Sequence, residues 1–342
     1  MKNIKKVKQY IADSAFLLEH FKNNMPTIHK IDDGKLNNVY MLTLDDENIT
    51  PLLLKHFPEF ITEEKRKIFM PKKRELFEYK GLQSFKEATP RYVPTPYLLD
   101  EQNQLIIMEF IQNAKSFKEL INTKADLKQT LSSLAEFIAA NINATALDTK
   151  KISQEFLESE MQHYIFESLF IVAPHILAQS ENLKKNVAFL QKRFFSQETF
   201  THGNLQQSSI LVKNNSIFVL DYETFFIGPL GFDTGRFLSS VLIDYLFYSR
   251  VDAVYANHIL ATTSEFLEKV LRKTTSKKEE FISDIFGFGA LYIIQHASYL
   301  KIQNNTPKAF SDTLLNLAFA ILEHLKELKN MQDLTQIMRK VL

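Results

Sequence analysis

The chain has 342 residues, 45% hydrophobic and 24% charged, the balance of an ordinary globular protein long enough for one large domain or two lobes. Its 41 basic and 40 acidic residues leave a net charge of +1, so no long-range field draws it to nucleic acid or an anionic membrane. The absence of cysteine excludes disulfides, thiolate metal sites and a cysteine nucleophile.

Residues Ile4 to Phe21 set Val7, Tyr10, Ile11, Phe16, Leu17 and Leu18 roughly on one helical face. The basic start lacks the apolar stretch of a signal peptide, and the longest apolar runs fall short of a membrane span. A cytoplasmic protein without membrane or nucleic-acid partners is expected. Strands are predicted over Thr27–Ile31 and Val39–Leu44, joined by a turn rich in Asp33, Gly34, Asn37 and Asn38, with a third over Pro51–Phe57. The charged stretch from Glu63 to Phe85 reads as helical, with Pro71 as a break or start. Two further strands, Tyr97–Leu99 and Gln104–Phe110, flank the polar turn Asp100–Asn103.

Beyond Ser116 the pattern turns helical, over Leu127–Ile142, Ile152–Phe170 and Leu183–Phe195. A strand pair, Ile210–Lys213 and Ile217–Leu220, interrupts it. Helices are then predicted over Thr234–Tyr248, Ala253–Val270, Phe281–Leu300 and Pro307–Leu328, with a short tail helix to Leu342. The expected class is therefore α+β: a small antiparallel sheet lobe over 1–110 and a mostly helical lobe over 111–342, hinged near Phe110–Asn113.

Several residues carry potential chemistry. Lys55 lies in a strand otherwise apolar through Leu52–Leu54; facing inward it needs an anionic partner, and facing outward it is an ordinary edge lysine. Glu75 and Glu78 on the following helix are candidate partners. The single-glycine turn at Asp33–Asn37 can lay amides over phosphates or be a plain turn. Asp221 and Glu223, two apart at a strand end, point the same way in strand geometry and can share a hard cation such as Mg²⁺; an exposed acidic turn is the alternative. Asp233 suits a helix N-cap, and Arg236, one turn later, can meet either a carboxylate or a ligand.

Taken in order, IDDGKLNNVYML, LLLKHF, RELFEYKGL and QLIIMEFI resemble the glycine-loop strand, lysine strand, glutamate helix and hinge strand of the protein-kinase-like small-molecule kinases. That is the aminoglycoside phosphotransferase and choline kinase group, and its methylthioribose kinase-like members are the nearest in pattern. THGNLQQSSILV is similar to their catalytic loop, usually HGDLHTGS, and LDYETFFIGPLGFDTGRFL to their D-x-E metal segment with its GP-x-GFD-x-G tail. The resemblance implies a two-lobed kinase fold and ATP-dependent transfer to the hydroxyl of a small molecule. It places Lys55, held by Glu78, on the α- and β-phosphates of ATP. Gly34 and Asn37 would cover the phosphates, the backbone of Met108, Glu109 and Phe110 would meet adenine, and Ser209 matches the family serine. Asp221 and Glu223 would hold Mg²⁺, with His202 in the catalytic loop, and a homodimer is implied as well.

The departures fall together. Asn204 stands where the family has its catalytic Asp, and an amide cannot accept a substrate proton. Gln206, Gln207 and Ser208 also differ, which argues against a lone altered position. Ile294 and Gln295 occupy the places of a late arginine pair that grips the sugar. Two readings follow: a diverged Mg·ATP-dependent kinase with another acceptor, or a nucleotide-binding pseudokinase with a regulatory or scaffolding role.

Overall fold

A computed structural model describes residues 3–31, 36–63, 66–145, 156, 159–170, 180–274, 278–303 and 308–341. The predicted first helix is two: α1 (Ile4–Asp13) and α2 (Ala15–His20). Ser14 divides them because its hydroxyl accepts the Leu17 amide at 3.4 Å and restarts the chain as an N-cap. Next come β1 (Thr27–Ile31), β2 (Asn38–Thr43) and β3 (Leu52–His56), close to their predicted bounds.

From Glu63 the structure departs from the predicted helix. Two short strands, β4 (Phe60–Glu63) and β5 (Arg66–Phe69), form a hairpin first, and α3 begins only at Arg74 (Arg74–Ala88). Cross-strand pairing of Phe60 with Phe69, rings 6.0 Å apart, and of Ile61 with Ile68 favours the hairpin over a helix. Strands β6 (Pro96–Asp100) and β7 (Leu105–Glu109) complete a five-stranded antiparallel sheet of order β1-β2-β3-β7-β6.

Alternation along β3 gives this sheet two distinct faces. Leu52 and Leu54, with Tyr40, Leu42, Leu105 and Ile107, bury against Val7, Ile11, Leu17 and Phe21 of α1 and α2. Lys55 falls on the opposite face, between Val39 and Ile106 in register, and so looks toward α3 and the helical lobe.

The second lobe contains β8 (Lys115–Ser116), α4 (Phe117–Asn122), α5 (Lys128–Thr145), α6 (Glu160–Phe170) and α7 (Glu181–Phe194). Ser116 and Glu119 form a reciprocal capping box that starts α4. The predicted helix start at Ile152 lies outside the described residues. There follow β9 (Thr199–Thr201), β10 (Ile210–Lys213), β11 (Ser216–Val219), β12 (Phe226–Gly228), α8 (Phe232–Val251), α9 (Ala253–Lys273), α10 (Lys278–Gln303), α11 (Lys308–Glu323) and α12 (Met331–Val341). This is an α+β, two-lobed protein-kinase-like fold. Among the described residues no helix is long and apolar enough to cross a membrane.

Two short ladders position the functional loops. β9 pairs with β12, so the loop leaving Thr201 and the segment entering Phe226 are held side by side. The β10–β11 hairpin, with β8 at its edge, supplies the other ends of both.

Candidate active site

The first half of the site is a chain of ion pairs between the lobes. The Lys55 ammonium is buried and donates to Glu78 Oε2 at 3.0 Å and to Asp221 Oδ1 at 2.7 Å. Burial pulls its pKa down, but Asp221, Glu78 and Glu223 outweigh that and push it well above the ordinary lysine value. Burial pushes the Glu78 carboxyl up against the pull of Lys55. Helix α3 brings Glu78 there because Gly81 lies flat on Tyr222: an added Cβ would sit 2.7 Å from the Tyr222 Cβ.

Arg74, at the first turn of α3, is almost wholly buried and runs parallel to Lys55. Its guanidinium donates to Glu223 Oε2 at 2.7 Å, Asn37 Oδ1 at 2.9 Å and the Pro58 carbonyl at 2.7 Å. Asn37 Nδ2 in turn donates to both Glu223 oxygens at 3.2 Å. Sequence reading missed Arg74, since in the run Lys72-Lys73-Arg74 nothing separates a buried cation from a solvated one.

The strand geometry expected for Asp221 and Glu223 is not what the structure contains. β11 ends at Val219; Asp221 adopts a left-handed backbone (φ 67°), and Glu223 lies in a short 3-10 turn over Tyr222–Thr224. The two carboxylates therefore face different cations, Lys55 and Arg74. The side chain of Asp221 is 48% exposed and, among the described residues, only its Oδ1 is engaged, whereas that of Glu223 is 12% exposed with both oxygens taken. Among the described residues no group of three or more His, Asp and Glu side chains converges on a metal-sized point.

The second half is the loop 202–209. His202 is buried; its Nε2–H donates to the Leu220 carbonyl at 2.7 Å and its Nδ1 accepts the Asn204 amide at 3.2 Å, the pattern of a neutral ring. Burial lowers its pKa to about 4. Gly203 has φ +83°, and a Cβ there would meet the Thr224 carbonyl oxygen at 2.1 Å, so only glycine fits. Asp233 does not cap α8, whose N-cap is Gly231. Its carboxylate instead accepts the backbone amides of His202 at 2.7 Å and Gly203 at 3.0 Å, fixing the loop.

Asn204 Oδ1 accepts from Arg236 Nε at 3.2 Å and Nη2 at 3.1 Å, and the same Nη2 donates to Gln206 Oε1 at 2.8 Å. The guanidinium lies 4.0 Å from the Tyr292 ring, whose hydroxyl donates to the Gly203 carbonyl at 3.0 Å. Ser209 Oγ donates to the Asn204 carbonyl at 3.2 Å.

The remaining expected residues lie as follows. Gly34 is outside the described residues. The amides of Glu109 and Phe110 donate to the Thr95 and Pro51 carbonyls at 2.8 and 3.4 Å, Met108 is buried, and the Glu109 carboxylate accepts from Thr95. Ile294 is in the core and Gln295 donates to the Ser168 carbonyl. His296, the next residue on α10, faces a cavity beside the catalytic loop. Neither Arg236 as the partner of Asn204 nor His296 was assigned a place by the sequence.

No protein-family model matches the chain. In sequence it is similar to methylthioribose kinase of Geobacillus kaustophilus (strain HTA426), 24% identical over 262 residues, which is 70% of this chain. The match spans 66% of that enzyme, just under two thirds of its length. In structure it is similar to a choline/ethanolamine kinase family protein from Mesorhizobium loti, with a TM-score of 0.55 at 11% identity over 98% of both chains. The amicoumacin kinase hAmiN, solved with AMP-PNP, Ca²⁺ and Ami, gives 0.52 at 16% identity over 94% of this chain and 96% of its own. In sequence the chain is similar to methylthioribose kinases, and it shares the two-lobed fold of these small-molecule kinases. Within that fold, Lys55, Glu78, Asp221 and Glu223 join the sheet lobe to the helical lobe, and Asn204 is bound instead to Arg236.

Proposed function

We propose that the chain is an ATP-dependent kinase that transfers a phosphoryl group to a hydroxyl of a small molecule other than methylthioribose. The observation that carries this reading is Lys55, a buried ammonium suspended between Glu78 and Asp221. An ammonium held by two carboxylates is a stored counter-charge for phosphates. Glu78 keeps it in place while Asp221 exchanges it for a polyphosphate. The methylthioribose kinase relatives and the AMP-PNP bound in hAmiN support the same class.

Asp221 fits an Mg²⁺ ion, since one of its oxygens is unengaged among the described residues and its side chain is half exposed. Glu223 fits only after releasing Arg74, so Asp221 is the principal ligand. The ion, when bound, supplies charge neutralisation across the phosphates, and Mg²⁺ characteristically takes only one or two protein carboxylates beside them. The backbone at Glu109 and Phe110, whose amides donate to Thr95 and Pro51, would meet adenine.

Asn204 cannot take the proton of the acceptor. In a loose transition state that proton leaves late, and loss of a general base costs about 10²–10⁴-fold, leaving a slow enzyme. The absence of charge at Ile294 and Gln295 favours another acceptor over methylthioribose. A second reading, a nucleotide-binding pseudokinase, is favoured by one observation: Arg236 already occupies the side-chain oxygens of both Asn204 and Gln206.

A thermal-shift titration with ATP and Mg²⁺, run on the natural chain and on Asn204→Asp with a panel of hydroxyl acceptors, separates the readings. The kinase reading expects a shift in both and measurable transfer by the natural chain. A shift in both with transfer only by the variant supports the pseudokinase; no shift in either sinks both.

A further inference from the structure

Beside the loop 202–209 a cavity of about 650 Å³ is lined by α4, α8, α10, α11 and the loop itself. Neither Lys55 nor Asp221 lines it. Its charged groups are Arg236, Asp244 and Lys118, His296 stands beside them, and its apolar wall is chiefly Phe247 and Phe310. Arg236, Ser240 and Asp244 recur every four residues on α8, so cation and carboxylate stand on one face, about 12 Å apart along the axis.

Three features of this cavity are unbalanced. Arg236 has only amide oxygens and an aromatic ring around it, with no carboxylate partner among the described residues. The chain treats another guanidinium differently: Arg193 is matched by both Glu198 and Asp284 at 2.6–3.0 Å. Gln207, another residue of the lining, is buried with an Nε2 that has no partner among the described residues. Asp244, also buried, accepts from Lys118 Nζ at Oδ1, 2.5 Å away, and its Oδ2 has no partner among the described residues. A donor-rich end with excess positive charge calls for an anion, and a spare carboxylate oxygen calls for a hydroxyl donor.

We propose that this cavity binds a small anionic polyol, a hydroxylated carboxylate or phosphate ester. Its anionic group meets Arg236 and Gln207 Nε2, and a hydroxyl donates to Asp244 Oδ2. This deepens the kinase reading, on which it rests for calling the molecule an acceptor; the binding itself does not depend on that reading. Burial lowers the pKa of Arg236, the cost expected for a cation whose counter-charge arrives with the ligand. His296 is held neutral by burial and by Arg236, which leaves the excess charge with Arg236 itself.

Isothermal titration of the full chain with D-gluconate, glucose 6-phosphate and the neutral polyol sorbitol tests this, using millimolar ligand. One or both anions bind and sorbitol does not; gluconate alone identifies a carboxylate site and glucose 6-phosphate alone a phosphate site. Arg236→Met weakens the bound anion about ten- to hundredfold, the loss of a charge-assisted contact, and Asp244→Asn weakens it less. In the natural chain the anion affinity falls with added KCl. Sorbitol binding as well as the anions, no binding by either anion, or an anion affinity indifferent to both KCl and Arg236→Met overturns the proposal. An Mg·ATP thermal shift recorded on the same samples keeps the two readings apart. Anion binding without an ATP shift leaves this site standing and removes the kinase, and the converse removes this site alone.

Discussion

Arg74 binds the segment that carries Glu223 and Arg236 the loop that carries Asn204, and their surroundings differ in kind. Arg74 meets a carboxylate, an amide and a carbonyl, and with Lys55 it pairs with the carboxylates of Asp221, Glu223 and Glu78. Arg236 meets two side-chain amides and a tyrosine ring. A compensated pair is costly to break and inexpensive to leave alone; an uncompensated cation is the reverse, and it gains most from an arriving anion. The interlobe half is thus a closed electrostatic circuit in the free protein, and the acceptor half is an open one.

The sharpest way to break this comparison is to delete each cation in turn. Arg74→Met orphans a mostly buried Glu223 and is expected to destabilise the chain by roughly 3–5 kcal/mol in urea unfolding. Arg236→Met leaves only partly exposed amides that water can satisfy, and stability is expected to stay within about 1 kcal/mol of the natural chain. Equal losses for the two variants would erase the distinction.

A smaller effect separates the halves by pH. His202 is neutral when folded, with a pKa near 4, against 6.5 for the ordinary imidazole. Between these values the unfolded chain binds more protons, so the stability associated with the buried ring is lost as pH falls through that window. Relative to His202→Gln, the natural chain is expected to lose roughly 3 kcal/mol between pH 7 and pH 4. A difference that stays flat with pH would show that folding does not shift the pKa of the ring.

Smaller again is the effect of closing the open circuit covalently. Asn204→Asp gives Arg236 an ion pair at a partly exposed site, expected to add about 1 kcal/mol to stability while lowering affinity for the anionic ligand. Unchanged melting together with unchanged anion affinity would mean that Arg236 does not sense the charge at this position. The least effect is expected between the acidic residues themselves: Glu223→Gln should reduce the Mg²⁺ dependence of the ATP thermal shift less than Asp221→Asn does, since Arg74 already engages Glu223.

Much of this was legible in the sequence, and the illegible parts have a common cause. The strands β1, β2, β3, β6 and β7 and the long helices follow from apolar period and turn chemistry, which the chain states locally. The β4–β5 hairpin was hidden because Lys and Glu around Ile68 resemble a solvated helix face, and cross-strand Phe60–Phe69 pairing leaves no mark in one strand alone. The side chains that decide the site are cations whose partners lie far off in sequence, Arg74 with Glu223 and Arg236 with Asn204. Lys55 was distinguishable because a charge inside an apolar strand is conspicuous; Arg74, in a run of three basic residues, was not. Asp233 misled for a related reason, since a carboxylate at a helix start has the same local signature whether it caps that helix or reaches back to another loop.

The left-handed backbone of Asp221 sets a condition on how this site can be dissected. Asp and Asn tolerate that conformation, while a residue with an ordinary Cβ and no polar tip is strained there by about 1 kcal/mol or more. Alanine at 221 would therefore remove the carboxylate and at the same time reset the chain direction into Tyr222 and the turn on which α3 rests. Asparagine keeps the path and removes only the charge, and glycine keeps the path and removes the side chain. The difference between those two substitutions isolates what the side chain does from what the bend does.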